Sequence, residues 1–329
     1  MLLQVKSLSV SFSSIYGDTD VLEGVNLEIN KGEIVGIVGE SGSGKSVTAL
    51  SILGLLDKNA SVTEGEILYK GNNLLPLSKK NIGYLRGKEI GMVFQEPMAA
   101  LNPTMKIGKQ VSSVIRKHRK VSRQISKKMA IDALNDVQIY NSEDVYHKYP
   151  FQLSGGMLQR VVIALAMSSP PELLIADEPT TALDVTIQAE ILKMMKDLSD
   201  TKDTSIMLIT HDLGVVANIC DRVYVMYGGK IVEKGATEEV LYHSEHPYTK
   251  GLIASLPEGK AADEPLQILQ GESFNPRNRP KGCVFYDRCP IRIDKCMVVP
   301  KMRELNAEHN VACWEAGTNA RSKEPLQTI

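Results

Sequence analysis

The chain has 329 residues, 43% of them hydrophobic, enough for two domains or for one large domain with an extension. Its formal net charge of −1 argues against naked nucleic acid as the main partner. The opening MLLQVKSLSV alternates and does not read as a leader, and no run reaches the about 18 apolar residues of a membrane-crossing helix. The expectation is an unexported chain that does not span a membrane by itself, with its thiols kept reduced.

Residues 1–35 alternate in hydrophobicity (QVKSLSVSF, VLEGVNLEI), which predicts antiparallel strands. EIVGIVG (33–39) predicts a short buried strand, and SVTALSILGLL (46–56) has helical spacing. Residues 96–150 are more polar and mostly helical by pattern. LLIAD (173–177) and SIMLIT (205–210) predict buried strands on either side of an amphipathic helix, TIQAEILKMMKDLSD (186–200). Alternating strands and helices imply an α/β fold with a mainly parallel sheet. Composition shifts near 242–265, where a C-terminal tail is expected to begin.

Between the strand at 33–39 and the helix at 46–56 lies GESGSGKS (39–46), which fits G-x-x-x-x-G-K-[ST] in strand–loop–helix context. Backbone N–H groups of such a loop and of the following helix converge on phosphate oxygens. Gly39, Gly42 and Gly44 permit the close approach, and Ser41 and Ser43 complete the cradle. Lys45 would reach the β- and γ-phosphates and the Ser46 hydroxyl would ligate Mg²⁺. The bland alternative, a glycine-rich turn, does not account for the flanking strand and helix.

LLIADEP (173–179) delivers Asp177 at a strand end, suited to Mg²⁺, and Glu178 beside it, suited to general-base work on water. Two surface acids would be the alternative if the loop at 39–46 were absent. LSGGMLQ (153–159) adds a second glycine-rich helix start, with Ser154 as a fitting N-cap before Gly155 and Gly156. Two anion-binding helix ends on one chain suggest a nucleotide gripped from both sides.

With these motifs in this order, residues 1–240 resemble the ATP-binding subunits of ABC transporters. The resemblance implies a RecA-like parallel-sheet core with an antiparallel β subdomain and a helical subdomain at about 96–165. It implies two subunits sandwiching two ATP molecules head to tail, with Ser154, Gly155 and Gly156 acting in trans. Gln95 in MVFQEP matches the glutamine that links Mg²⁺ and attacking water to a membrane subunit. Asp184 in TALD matches the loop crossing the dimer interface, and His211 in LITHD matches the histidine on the γ-phosphate. Tyr16, 29 residues before Lys45, suits the aromatic that stacks on adenine, with Phe12 as a competitor.

FQEPMAALNPTMKIG (94–108), YPFQLSGGM (149–157), the triplet His246, Pro247, Tyr248 and the cysteine tail resemble the oligopeptide/dipeptide importer branch. That implies a subunit on the cytoplasmic face of a bacterial or archaeal membrane, hydrolysing MgATP to energise peptide import. Implied partners are a second ABC ATPase subunit (a heterodimer favoured over a homodimer), two membrane permease subunits and an extracytoplasmic peptide-binding protein, with no nucleic acid. A nickel importer of the same branch is the nearer alternative. A soluble ABC ATPase of translation or DNA maintenance is the more distant one, since the chain has one cassette and no sustained heptads. Leu158 stands where this branch commonly has a basic residue, a departure expected to change only helix-surface charge. The stretch RKHRKVSRQISKK (116–128), with seven Lys/Arg, is expected to be a solvated helix face rather than a lipid or nucleic-acid site.

Cys220 precedes a predicted strand and reads as a buried, inert thiol. The other four cysteines, Cys283, Cys289, Cys296 and Cys313, are spaced C-x5-C-x6-C-x16-C, wider than the usual zinc pairs. Four thiolates are the ligand set of a [4Fe–4S] cluster, which the branch resemblance implies for some members. Zn²⁺ and free or disulfide-bonded thiols are the alternatives. His309 is weighed as a substitute ligand and expected to be exposed. Residues 241–329 are thus expected to form a small metal-binding extension.

Overall fold

The computed structural model describes residues 1–181, 183–256 and 269–317. In chain order, β1 (Leu3–Ser14) and β2 (Gly17–Ile29) are neighbours joined by a two-residue turn, and therefore antiparallel. β3 (Ile34–Val38) is buried at every position, as its unbroken apolar run requires. α1 (Lys45–Leu53) follows, started at Gly44 and stopped at Gly54, both in left-handed backbone. Then come β4 (Ala60–Tyr69), β5 (Asn72–Asn73), α2 (Lys79–Leu85) and β6 (Ile90–Val93). A helical stretch holds α3 (Pro97–Ala100), α4 (Ile107–Arg119), α5 (Arg123–Asp136), α6 (Ser142–His147) and α7 (Gly155–Met167). β7 (Leu173–Asp177), α8 (Val185–Lys202), β8 (Ser205–Thr210), α9 (Leu213–Ile219), β9 (Arg222–Tyr227) and β10 (Lys230–Ala236) complete the alternating part. α10 (Thr237–Tyr242), α11 (Pro247–Ala254), β11 (Arg303–Asn306) and β12 (His309–Val311) close the chain.

The chain divides into two compact units. One comprises Met1–Leu2, Ile29–Ile34 and Pro76–Ile209. In it β6, β7 and β8 run parallel, with Ile90 opposite Leu173 and Leu173 opposite Ser205. The helical stretch packs around Val111, Ile115 and Ala130, with Met129, Ala133, Tyr146 and Leu165 against them. Gly108 allows α4 to lie on α6, because a Cβ there would enter the Tyr146 ring. Arg160 of α7 reaches Glu190 of α8 at 2.8 Å and the Val137 carbonyl at 3.0 Å, tying three segments together. The basic stretch lies across α4 and α5 with Arg116, Lys117, Arg119, Lys120, Arg123 and Lys128 exposed, the solvated face expected of it. Leu158 is only 7% exposed, so its apolar side chain belongs to the packed face of α7 and not to a charged surface.

The other unit comprises Leu3–Glu28, Val35–Leu75 and the described residues from Thr210 on. β2, β1, β4 and β5 form an antiparallel sheet in that order. β3 and β9 run parallel, and β9 continues antiparallel through β10 and β12 to β11. The sheet is therefore more mixed than the predicted, mainly parallel one. The tail adds its strands to β10 instead of standing apart, with His309 opposite Gly235. His309 is buried, contrary to the exposed position expected for it. Its Nε2 meets the wholly buried Glu233 carboxylate at 2.8 Å, and that carboxylate also accepts the backbone N–H groups of Glu245 and His246. Burial of Glu233 is offset by these bonds. Among the described residues no helix is long and apolar enough to cross a membrane.

Candidate functional site

The loop at 39–46 is built as its composition demands. A Cβ at Gly39 would collide with the Met226 carbonyl oxygen, and one at Gly44 with the Leu22 side chain. Gly42 and Gly44 have φ of 78° and 105°, a region that L side chains avoid. Lys45 is buried, and its Nζ donates to the carbonyl oxygens of Gly39 at 2.7 Å and Glu40 at 2.9 Å. The Ser43 hydroxyl is buried without a hydrogen-bond partner. Lys45 and Ser46 open α1, so their backbone N–H groups lie in the first turn of a helix, the end that favours anions. An anionic phosphate chain fits this donor set.

In the same unit His211 follows β8 and is exposed, while Asp212 caps α9 through its bonds to the Gly214 and Val215 N–H groups. Tyr16 is exposed in the turn between β1 and β2, under the Arg277 guanidinium at 5.3 Å. Phe12 lies within β1, half-buried.

The other unit carries the acidic residues. Asp177 ends β7 and is buried. Glu178, the next residue, has φ of 46°, an unusual conformation for a side-chain-bearing residue. Its N–H is tied to the Ile209 carbonyl at 2.9 Å, and its Oε2 accepts from Gln95 Nε2 at 3.0 Å and Thr181 Oγ1 at 2.9 Å. Gln95 and Glu178 are thus brought together across 83 residues of sequence. Thr181 is a contact that motif reading missed, although it lies in the same DEPTT run.

Ser154 caps α7, accepting from the Met157 N–H, and Asp184 caps α8, accepting from the Ile187 N–H at 2.9 Å. The two helix starts are neighbours: a Cβ on Gly156 would press on the Ile187 side chain, and one on Gly155 would touch Leu183. The LSGG turn and the Asp184 turn therefore form one surface feature.

Cys220 is buried, as expected, and forms no disulfide. Cys283, Cys289, Cys296 and Cys313 are also buried, with no disulfide among them. Burial pushes the Cys283 thiol up to about 11, and each of the other three cysteines adds to the rise. Burial likewise raises Cys289 and Cys313. Opposing this, backbone N–H groups of Phe285, Ile291, Glu315 and Ala316 donate to the sulfurs. Cysteine sulfur is the donor type that a soft cation takes. Among the described residues, however, no group of three or more His, Cys, Asp or Glu side chains stands in metal-holding geometry. The expected ligand set is gathered in one region but not assembled as a coordination sphere.

The ABC transporter family profile matches residues 22–181, and the profile of the oligopeptide/dipeptide transporter C-terminal region matches residues 232–296. The oligopeptide transport ATP-binding protein OppD of Bacillus subtilis is 48% identical, covering 100% of this chain and 92% of its own. The dipeptide transport ATP-binding protein DppD of Bacillus subtilis is 46% identical over 95% of this chain and 94% of its own. A dimeric ATP-binding cassette in a post-hydrolysis state, bound to ADP and phosphate, superposes with a TM-score of 0.64 at 30% identity, covering 72% of this chain and 99% of that one.

Proposed function

Because the chain belongs to the ABC transporter family, among its ATP-binding proteins for oligopeptide and dipeptide transport, we propose that it binds and hydrolyses MgATP to drive di- and oligopeptide import. The observation that carries the reading is the preformed phosphate loop, with Gly39, Gly42 and Gly44 in backbone that side chains avoid and with buried Lys45, on a chain whose Glu178 carboxylate is already held by Gln95. ATP supplies the phosphoanhydride that is cleaved and Mg²⁺ its charge neutralisation.

The chain's own residues take these roles. The N–H groups of residues 41–46, Lys45 and the Ser43 hydroxyl bind phosphate oxygens. By the family resemblance, Ser46, Asp177 and Gln95 would be the residues that hold Mg²⁺. Glu178 accepts a proton from the attacking water at its carboxylate, in an orientation fixed by Gln95 and Thr181. His211 contacts the terminal phosphate, and Tyr16 stacks on the base. Ser154, Gly155, Gly156 and Asp184 act across a dimer interface toward the partner's nucleotide. Residues 1–240 serve as the ATP-binding domain, with 96–165 as its helical subdomain, and 241–329 as the extension.

The partners we propose are a second, related ATPase subunit and two membrane permeases on the cytoplasmic face, supplied with peptide by an extracytoplasmic binding protein. A [4Fe–4S] cluster on Cys283, Cys289, Cys296 and Cys313, with Zn²⁺ as the alternative, is supported by the burial of the four sulfurs and by the backbone N–H groups that point at three of them. Anaerobic purification followed by iron, sulfide and zinc analysis decides between them. The proposed function itself is tested by isolating the tagged chain from its own membranes. Two membrane subunits are expected with it, and recovery with ribosomes or DNA alone would contradict the proposal.

A further inference from the structure

Glu40, the second residue of the phosphate loop, is gripped from the C-terminal extension at two points. Its backbone N–H donates to the Tyr248 hydroxyl at 2.8 Å. Its carboxylate receives both arms of the Arg288 guanidinium, at 2.7 and 3.0 Å. The peptide that carries the Glu40 N–H also carries the Gly39 carbonyl, and that oxygen accepts from Lys45 Nζ at 2.7 Å. One peptide plane is therefore pinned at both ends, by Lys45 on one side and Tyr248 on the other. A flip of that peptide would break both bonds and move the oxygen that holds Lys45.

The grip is itself rigid. Tyr248 is wholly buried, one residue beyond the Pro247 that opens α11, and α11 is capped by His246. Arg288 is almost buried at its side chain, 7% exposed against 25% for Glu40. Its remaining donors reach the Gln270 carbonyl at 3.0 Å and the Tyr227 hydroxyl at 3.3 Å, and its plane lies over the Tyr227 and Phe285 rings. The hydrogen bonds to Glu40 hold the Arg288 guanidinium above its ordinary range. A bidentate, largely desolvated pair of this kind fixes geometry in a way that an exposed pair does not.

We propose that Arg288 and Tyr248 are positioning residues for ATP binding, which hold the Gly39–Glu40 peptide in the orientation that presets the phosphate loop and Lys45. The inference rests on the reading of residues 39–46 as the phosphate loop. It makes the extension part of the nucleotide site's support, and it joins the HPY triplet and the residue before Cys289 to the same loop residue.

The test measures MgATP affinity and melting temperature of the full chain for Arg288→Gln, Tyr248→Phe, Glu40→Gln and the Arg288→Gln/Glu40→Gln double variant. Lys45→Ala is run as the loop control. Arg303→Ala, which releases the bonds of Arg303 to the Cys313 and Ala316 carbonyls, is run as a control for general loosening of the extension. Arg288→Gln and Tyr248→Phe are each expected to weaken binding about tenfold while remaining folded, the double variant no more than either of its singles, and Arg303→Ala to lower only the melting temperature. Wild-type affinity in folded Arg288→Gln and Tyr248→Phe, with binding lost in Lys45→Ala, overturns the clamp and leaves the loop reading intact. Wild-type affinity in Lys45→Ala overturns both. An equal loss of affinity in Arg303→Ala assigns the effect to loosening and also overturns the clamp.

Discussion

At the scale of single residues, Glu178 combines two features. It adopts a backbone conformation with φ of 46°, and one carboxylate oxygen accepts two side-chain bonds. Such backbone costs on the order of 1–3 kcal/mol and persists where the surroundings impose it. Here the bond from Glu178 N–H to Ile209 and those from Gln95 and Thr181 impose it. Glu178→Gln should keep MgATP binding and lose hydrolysis by about a hundredfold or more, the scale of a lost general base. Thr181→Ala should lower kcat by a smaller factor with KM unchanged, because it frees the orientation of a carboxylate that is still present. Steady-state ATPase assays separate the two, and a Glu178→Gln chain turning over at the wild-type rate would remove the general-base role. The Asp–Glu pair and the lysine of the loop were legible in the sequence because each is a local pattern. Thr181 was not, since its reach back to Glu178 depends on a turn in left-handed backbone that no motif announces.

At the scale of elements, α11 is capped by a histidine whose Nδ1 accepts the Tyr248 N–H at 3.1 Å. Complete burial lowers the His246 pKa from the ordinary 6.5 to about 3. Between those values the unfolded chain binds a proton that the folded chain excludes. The contribution of neutral His246 is therefore complete above about pH 6.5 and is lost as pH falls toward about 3, with a slope approaching ~1.4 kcal/mol per pH unit. Urea unfolding at about pH 7 and about pH 5 should show wild type losing more stability than His246→Asn, which keeps a capping acceptor and has no titration. Equal losses would contradict this account of the cap. A second element-scale prediction concerns α4 and α6. Gly108→Ala should cost about 1–3 kcal/mol, read as a lowered melting temperature, because the added methyl enters the Tyr146 ring. The helix start at Ser154 was readable from N-cap chemistry. The burial of His309 was not, because it is decided by a partner far away in sequence: Glu233 lies 76 residues from it.

At the scale of the whole molecule, the chain carries a phosphate loop, an acidic strand end and an LSGG helix start. The LSGG turn lies beside the Asp184 turn, and both carry proposed roles toward a partner's nucleotide. The cysteine-bearing tail, which composition set apart near residue 242, pairs with β10 and reaches the phosphate loop through Arg288, 248 residues from Glu40 in sequence. Separation of that length is why the tail's support of the loop could not be read locally. The central claim, that this ATPase works for a peptide importer, is tested most directly by ATP turnover in the complex isolated with its membrane subunits and reconstituted in liposomes. Turnover should rise when a peptide and its binding protein are added and should vanish in Glu178→Gln. Turnover indifferent to every di- and oligopeptide tested would contradict the account.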